Sequence, residues 1–325
     1  MTPLPSPASV QSIISRLRLR QLKLLIALDE HGTLNRAADH LAISQPGATK
    51  ALNELEGLFN ARLFERTPQG LVANDLGRCV TRYARLIQSD LTHMREELMG
   101  IMQGTGGQLS IGAITGAIPY LSQVLARLGS AHPELSIAIT ESTSDQLLEQ
   151  LDDGRLELVF CNTLVSPRPD IYRSLGSYGE QMVLVTNPRH PLAGHDAVQL
   201  RELADYRWIV YPAGMPMRVA LEQAFGRAGL PFPRPLIETS SAFSQLYLVH
   251  ENPAMIAQVP FRVAKFGAKL GMAKKLPCEV DSRSLAYDLV ARKSAALSPA
   301  ATLFLRELGE YESSRLALEK NHAPA

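Results

Sequence analysis

Polar side chains that can bind bases and phosphates cluster in one short segment of the chain. Following Ser44, these are Gln45, Thr49, Lys50 and Asn53, which share one face of a helix that begins at residue 45. Amide and hydroxyl groups pair with base edges, whereas a lysine and a helix N-terminus favour phosphate. This chemistry is typical of DNA recognition. An ordinary amphipathic helix with a polar outer face shows the same pattern, so the segment alone leaves both interpretations open.

The surrounding residues predict a helix-turn-helix that would position this face. Apolar residues from Leu19 to Ile26 repeat at helical spacing, and Gly32 suits the left-handed cap that ends a helix. Thr33 is then an N-cap for a short second helix, and Ser44 caps a third helix with Pro46 in its first turn. Two short helices joined by a tight corner place the second of them in the major groove.

Arginines on both sides of a turn predict a β-hairpin wing beside these helices. The turn is Thr67-Pro68-Gln69-Gly70, and the flanking arginines are Arg62, Arg66, Arg78, Arg82 and Arg85. Guanidinium groups in such a wing neutralise the phosphate backbone. The candidate DNA contacts are therefore Thr33, Asn35, Arg36, Ser44, Gln45, Pro46, Thr49, Lys50, Asn53, Arg62 and Arg66.

A long helix is predicted after the wing, with Asn74 as its cap. Its apolar residues step by three and four, close to the seam of a coiled coil: Leu76, Val80, Tyr83, Ile87, Leu91, Met94, Leu98 and Ile101. A seam of this length is expected to pack on a second copy of the chain, which predicts a homodimer through this helix. The helix should stop at a flexible joint, residues 104–107.

The remaining residues alternate between strand and helix patterns, which predicts a mainly parallel sheet covered by helices. Ligands of such sheets bind at the C-terminal ends of strands. The candidate ligand contacts are the polar residues and one glycine at these ends: Thr115, Gly116, Ser142, Ser144, Asn162, Tyr211, Ser240 and Ser241. Each hydroxyl is also an ordinary helix N-cap, so the set predicts a polar pocket better than any one residue does.

Whole-chain properties narrow the class of protein. The 325 residues suffice for two or more domains, and the net charge of +1 does not discriminate between functions. Cys79, Cys161 and Cys278 are too far apart for a metal or disulfide motif and are interpreted as buried free thiols. The chain lacks a membrane-length apolar run, a phosphate-binding glycine loop and a nucleophile elbow. We therefore expect a cytoplasmic protein that is not an enzyme and needs no metal or cofactor.

The most specific stretch, from Leu19 to Gly77, resembles the LysR-type transcriptional regulators. The matching residues are Leu19-Arg20-Gln21-Leu22, Ala37-Ala38, the run from Ser44 to Lys50, Leu55-Glu56 and the run from Arg62 to Arg66. Two departures are visible. Asn74 stands where the family usually has a threonine at the helix start, and the arm before Leu19 is longer than usual.

The resemblance implies a fold with an N-terminal all-α winged helix-turn-helix, a long linker helix, and a C-terminal α/β two-lobed periplasmic-binding-protein-like (type 2) effector domain. The expected boundaries are an arm at 1–18, the DNA-binding domain at 19–75, the linker at 76–107, the effector domain at 108–315 and a tail at 316–325. Lobe I is expected at 108–163 and 268–315, and lobe II at 164–267. A homotetramer is also implied.

The function that follows is a DNA-binding regulator controlled by a small effector held between the lobes. Helix starts near Thr115 and Ser144 suit a carboxylate, while Asn162, Ser240 and Ser241 serve a sugar equally well. RNA polymerase would be a partner if the protein activates. Two alternatives remain: a regulator whose sensor domain takes no ligand, and a metabolic enzyme with an N-terminal assembly domain.

Overall fold

The computed structural model describes residues 8–68, 70–103, 107–234, 236–278 and 286–321. The chain divides into two compact units, which separate between residues 105 and 106, with Asp152–Arg155 grouped with the first. Of the predicted features, Gln69 in the wing turn, residues 104–106 of the joint and residues 322–325 of the tail lie outside the described residues.

The first unit contains five helices and a two-stranded sheet in its described residues. In chain order they are α1 (Val10–Arg16), α2 (Leu19–His31), α3 (Leu34–His40), α4 (Gln45–Phe59), β1 (Phe64–Thr67), β2 (Gly70–Ala73) and α5 (Asp75–Gln103). The strands pair antiparallel from Phe64 with Ala73 to Thr67 with Gly70. The predicted helix-turn-helix, wing and long helix are therefore confirmed, whereas α1 was not predicted because its apolar residues lack a buried face.

The predicted caps set the helix boundaries of this unit. The Thr33 and Ser44 hydroxyl oxygens accept hydrogen bonds from the backbone N–H groups of Arg36 and Gly47, at 3.3 and 3.2 Å. Gly32 adopts the left-handed conformation after α2, with φ of 69°. These short contacts form the corners between α2, α3 and α4, and the buried residues Leu25, Leu28, Leu55 and Ala84 fill the core beneath them.

Two contacts tie the wing to the helices. The Glu56 carboxylate accepts from the backbone N–H of Leu63 at 2.8 Å, just before β1. The N–H of Leu71 in β2 donates to the Gly32 carbonyl at 2.6 Å. Gly70 has φ of 132°, and a Cβ at this position would collide with that same carbonyl. Only glycine fits at this position, because the backbone has a positive φ and lies too close to the Gly32 carbonyl for a side chain.

The second unit contains the α/β elements. In chain order they are β3 (Gln108–Ala113), α6 (Ile118–Ala131), β4 (Ser136–Glu141), α7 (Ser144–Asp152), β5 (Leu158–Cys161), β6 (Tyr172–Tyr178), β7 (Met182–Thr186), α8 (Leu200–Leu203), β8 (Arg207–Val210), α9 (Pro216–Arg227), β9 (Leu236–Glu238), α10 (Ala242–Glu251), β10 (Met255–Pro260), α11 (Phe261–Lys269), β11 (Lys274–Lys275), β12 (Tyr287–Arg292) and α12 (Pro299–Asn321).

These strands form two five-stranded sheets, one for each lobe. Lobe I has the order β4-β3-β5-β12-β6, and lobe II has the order β11-β7-β10-β8-β9. In each sheet the three strands from one edge to the centre run parallel, and the two remaining pairs are antiparallel. Phe160, Tyr120 and Phe304 are buried in the core of lobe I, and Trp208 in that of lobe II.

The sheet order corrects the predicted lobe boundaries. Because β6 pairs with β12, lobe I extends to Tyr178 and the chain first crosses at residues 179–181 instead of 164. Because β11 pairs with β7, lobe II continues beyond 268 to at least Lys275. Helix α12 also continues to Asn321, past the expected end of the effector domain at residue 315. Strands β6 and β10 and helix α11 were not predicted.

Two further features bear on the class of protein. Cys161 and Cys278 are buried free thiols as predicted, but Cys79 is exposed in the first turns of α5. Within the described ranges, no helix combines the length and the apolar character that a membrane crossing requires.

Candidate nucleic-acid interface and effector cleft

Helix α4 presents the predicted polar face. Gln45, Pro46, Lys50 and Asn53 are exposed, while Ala48 on the opposite side is fully buried. Thr49 is half-buried, and its hydroxyl donates to the Gln45 carbonyl at 3.0 Å. That hydrogen is therefore used within the helix, and Thr49 keeps a lone pair and a methyl group for contact with a base.

The remaining candidates on the helices divide into caps and exposed groups. Thr33 and Ser44 hold the first turns of α3 and α4, as described above, so capping is their observed role. Asn35 and Arg36 are exposed in the first turn of α3. Their side chains lie where a helix N-terminus already favours phosphate.

The wing arginines fall into two groups. Arg62 and Arg66 are exposed, and neither forms an ion pair with any residue that the structure describes. Arg78 instead pairs with Asp75, and Arg85 pairs with Asp29 at 2.7 Å. The Asp75 and Asp29 carboxylates thus compete with phosphate for Arg78 and Arg85, and the phosphate contacts of the five arginines stay a prediction.

The long helix leaves its predicted seam uncovered within one chain. Leu76, Tyr83, Met94 and Leu98 are each more than half exposed, although Val80 packs against the core of the first unit. The side chain of Ile101 lies outside the described set. A groove of about 510 Å³ runs beside the seam, lined by Leu19, Arg20, Leu22, Lys23, Ile87, Gln88, Leu91, Thr92 and Arg95.

Several of the predicted ligand contacts in the second unit are used for local structure. The Ser144 hydroxyl oxygen accepts from the backbone N–H of Asn162 at 3.1 Å, and the Asn162 amide oxygen accepts from Leu164 at 2.9 Å. Ser142 donates to Gln146. Ser241 caps α10, and Ser240 beside it is exposed.

Thr115 and Gly116 meet two carboxylates that the sequence did not single out. Thr115 donates to Glu141 at 2.6 Å. Glu180 lies so close to Gly116 that a Cβ there would collide with the carboxylate. Thr115 and Gly116 follow β3 of lobe I, Tyr211 follows β8 of lobe II, and Glu180 lies in the segment that crosses between the lobes. Tyr211 packs with Met182, two residues after Glu180, so lobe II also contributes a residue beside this segment.

The electrostatics of this cluster follow from burial. Burial raises the pKa of Glu180 to about 7. Burial also raises the pKa of Tyr211, and the nearby carboxylates of Glu180 and Glu141 raise it further. No sequence pattern marks Glu141 or Glu180, because only the packing of the lobes brings them together.

Arg218 is buried in α9, where an arginine is rarely found unless it is paired. Its guanidinium donates to Glu222 at 2.7 Å, to Glu238 at 3.0 Å and to the Tyr211 carbonyl at 3.0 Å. Two carboxylates and a carbonyl therefore accept the hydrogen bonds of this guanidinium group. Its hydrogen bond to the Tyr211 carbonyl connects α9 to the segment that carries Tyr211.

Removing the Glu180 charge is expected to change how stability depends on pH. Because burial raises the pKa from 4.5 to about 7, the folded chain keeps a proton that the unfolded chain has released. The associated stability is fully present below pH 4.5 and is lost as the pH rises through about 7. Relative to wild type, the melting temperature of Glu180→Gln should therefore increase with pH across this window. The exposed control Glu149→Gln should show no such trend, and parallel curves for Glu180→Gln would contradict the prediction.

Two family models match most of the chain. Residues 19–78 match the bacterial regulatory helix-turn-helix proteins of the lysR family, and residues 102–313 match the LysR substrate binding domain. The chain belongs to the LysR family of transcriptional regulators. Among the described residues of this LysR-type regulator, no three His, Cys, Asp or Glu side chains are grouped as a metal site.

Curated relatives of this LysR-type regulator carry regulator names. It is 33% identical over 317 residues to the HTH-type transcriptional regulator GbpR of Azospirillum brasilense, covering 95% of this chain and 90% of the relative. It is 29% identical to the HTH-type transcriptional regulator GalR of Pseudomonas putida, over 88% of this chain and 72% of the relative. These names confirm the prediction of a regulator over an enzyme.

Solved structures confirm the fold. Full-length CbnR in complex with its target DNA superposes with a TM-score of 0.62 at 22% identity, over 90% of this chain and 99% of that chain. A second structure of CbnR, a LysR family transcriptional regulator, gives a TM-score of 0.61 over the same fractions. The winged helix-turn-helix followed by a two-lobed α/β domain is therefore the established architecture of this chain.

Proposed function

We propose that this LysR-type regulator reads its operator through α4 and holds the DNA backbone through the wing. The observation that carries the proposal is the exposed polar face of α4, with Gln45 and Lys50, beside the exposed Arg66, which has no ion pair among the described residues. Amides on such a face suit base edges, and the cations suit phosphate. DNA binding places its site of action in the cytoplasm.

The test separates base reading from backbone contact. A cognate site is first selected from random DNA with the purified full-length protein. Gln45→Ala should then weaken binding to that site by about 1–3 kcal/mol and binding to random DNA much less, because only the cognate site offers the lost base contact. An unchanged ratio of cognate to random affinity would refute the base-reading role.

Arg66→Ala serves as the contrasting variant. Loss of a phosphate contact should weaken cognate and random DNA about equally, and the slope of log affinity against log salt should fall by about one. Lys269, an exposed cation in the second unit, provides the matched control, and its replacement by Ala should leave the slope unchanged. A cognate-specific loss in Arg66→Ala would contradict the assignment.

The working assembly is a homodimer through α5. The uncovered seam and the groove lined by Ile87 and Leu91 together offer an apolar surface that a second copy would bury. A dimer also suits the paired half-sites that helix-turn-helix proteins read. By analogy with the family, two dimers join into a tetramer, and RNA polymerase is a partner if the regulator activates.

The effector site lies between the lobes, at the cluster of Thr115, Gly116 and Tyr211. Support comes from the position of these residues at the C-terminal ends of β3 and β8, which belong to different sheets. A ligand that touches both lobes controls the regulator only through its difference in affinity for two lobe arrangements.

A further inference from the structure

A cation–π contact joins the two lobes at the edge where the effector site is proposed. Arg262 is the second residue of α11, which follows β10 of lobe II, and Tyr120 lies in the first turn of α6, the first α-helix after β3 of lobe I. The Arg262 guanidinium carbon lies 5.7 Å from the centroid of the Tyr120 ring. A cation within about 6 Å of a ring centroid is attracted by the ring. The contact therefore favours the lobe arrangement in which it forms.

The surroundings of Arg262 suit such a contact. Its side chain is partly buried and forms no ion pair with any residue that the structure describes. Partial removal from water strengthens the attraction between a cation and a ring. The backbone N–H of the adjacent Phe261 donates to the carbonyl of Gln181, in the first crossing segment, at 2.7 Å. The start of α11 is thus held both by a ring of lobe I and by the crossing segment.

The Tyr120 ring is fixed firmly within lobe I. Its side chain is buried, and its hydroxyl donates to the Glu312 carboxylate at 2.6 Å. The hydroxyl of Tyr178, the last residue of β6, donates to the same carboxylate oxygen at 2.9 Å. The Tyr178 ring also stacks on Tyr287, the first residue of β12, with centroids 5.5 Å apart. The ring is therefore linked to the strands by which the chain leaves and re-enters lobe I, so any shift of Arg262 across it is a shift of lobe II against lobe I.

The hydrophobic cores of the two lobes are separate. Over the described parts of the second unit, each buried core cluster draws its residues from one lobe alone. Closely packed cores resist deformation, so each lobe is expected to move as a body. The balance between lobe arrangements then depends on few contacts, and a single contact is enough to change it.

We infer that Arg262 and Tyr120 form a latch, a contact that stabilises the lobe arrangement seen in this structure. Its regulatory consequence rests on the proposed inter-lobe effector site. An effector that favours another arrangement must supply enough differential affinity to break the latch, whereas one that favours this arrangement finds it already stabilised. The latch thus sets how strongly the regulator responds to a given effector.

The test measures the distance between the lobes without any effector. Spin labels are attached to the full-length Cys79→Ser protein at Glu149→Cys in α7 of lobe I and at Gln223→Cys in α9 of lobe II, both exposed positions. An excess of unlabelled protein leaves most oligomers with one labelled protomer. Pulsed dipolar spectroscopy should show that Arg262→Gln lowers the ratio of this arrangement to all others by about 3- to 30-fold. A distance distribution identical to that of wild type overturns the latch.

Matched variants separate the latch from a general effect of charge. Lys265→Gln removes the same charge from an exposed position of α11 and should leave the distances unchanged, and Arg262→Lys keeps a cation at the ring and should retain most of the arrangement. Adding Arg262→Gln to Tyr120→Leu should cause no further shift, because the ring is already gone. An equal shift in Lys265→Gln, or a full additional shift in the double variant, would refute the pairing.

Circular dichroism reports whether each variant is folded, and the two Arg262 variants decide the question if Tyr120→Leu does not fold. Because the measurement uses no effector, its outcome is independent of whether the proposed effector site is correct.

Discussion

Replacing Ile87 and Leu91 together with glutamate is expected to convert the proposed dimer into monomers and to weaken operator binding at least about 100-fold. Both side chains are partly exposed on α5 and line the groove beside Leu19 and Leu22. Four new carboxylates would be buried at a symmetric interface, where unpaired charge is strongly unfavourable. Loss of the dimer removes the second half-site contact, which accounts for the size of the effect.

Sedimentation velocity and binding to the selected site measure the two outcomes. The matched control is Ile87→Leu with Leu91→Met, which keeps the positions apolar and should retain both the dimer and tight binding. An intact dimer in the glutamate variant would refute the seam as the interface. A monomer that still binds tightly would instead show that one protomer suffices for the operator.

Gly77→Ala is expected to destabilise the first unit by about 2–3 kcal/mol or more. A Cβ at Gly77 would collide with the backbone carbonyl of Leu63 and lie against Ala73, and backbone cannot move aside as a flexible side chain can. The contact matters because Leu63 lies just before the first strand of the wing. Its carbonyl oxygen also accepts a hydrogen bond from the backbone N–H of Asn74.

Calorimetric unfolding with a spectroscopic reporter tests this prediction. The single tryptophan, Trp208, lies in the second unit, so its fluorescence transition should not shift while helix content melts earlier. Gly57 in α4 is the matched control, because a Cβ at Gly57 would meet open space and Ala should stabilise the helix by about 0.5–1 kcal/mol. A Gly77→Ala protein as stable as wild type would contradict the close approach.

Local chemistry could be predicted from the sequence, and contacts between distant segments could not. Thr33, Ser44 and Asn74 each cap the helix assigned to them, because capping depends on residues three positions apart. The lobe boundaries failed because β6 joins its sheet through pairing with β12, more than a hundred residues later. No local pattern records such a partner.

The same limit applies to the sites. The exposed face of α4 follows from helical periodicity, so Gln45, Lys50 and Asn53 were predictable. The ion pair of Arg85 could not be predicted, because its partner Asp29 belongs to a different helix. Glu180 belongs to no strand or helix and acquires its importance only where the crossing segment meets Gly116.

The Leu71 N–H donates a hydrogen bond to the Gly32 carbonyl, and there is no room for a side chain at Gly70. These close contacts hold the wing against the helix-turn-helix. In the proposed binding mode, the distance between the DNA contacts of α4 and those of the wing is therefore fixed. When a half-site gains or loses a base pair, the wing cannot shift relative to α4 to restore both contacts. Adaptation to new promoters must proceed by exchanging the side chains on α4 or by changing the distance between half-sites.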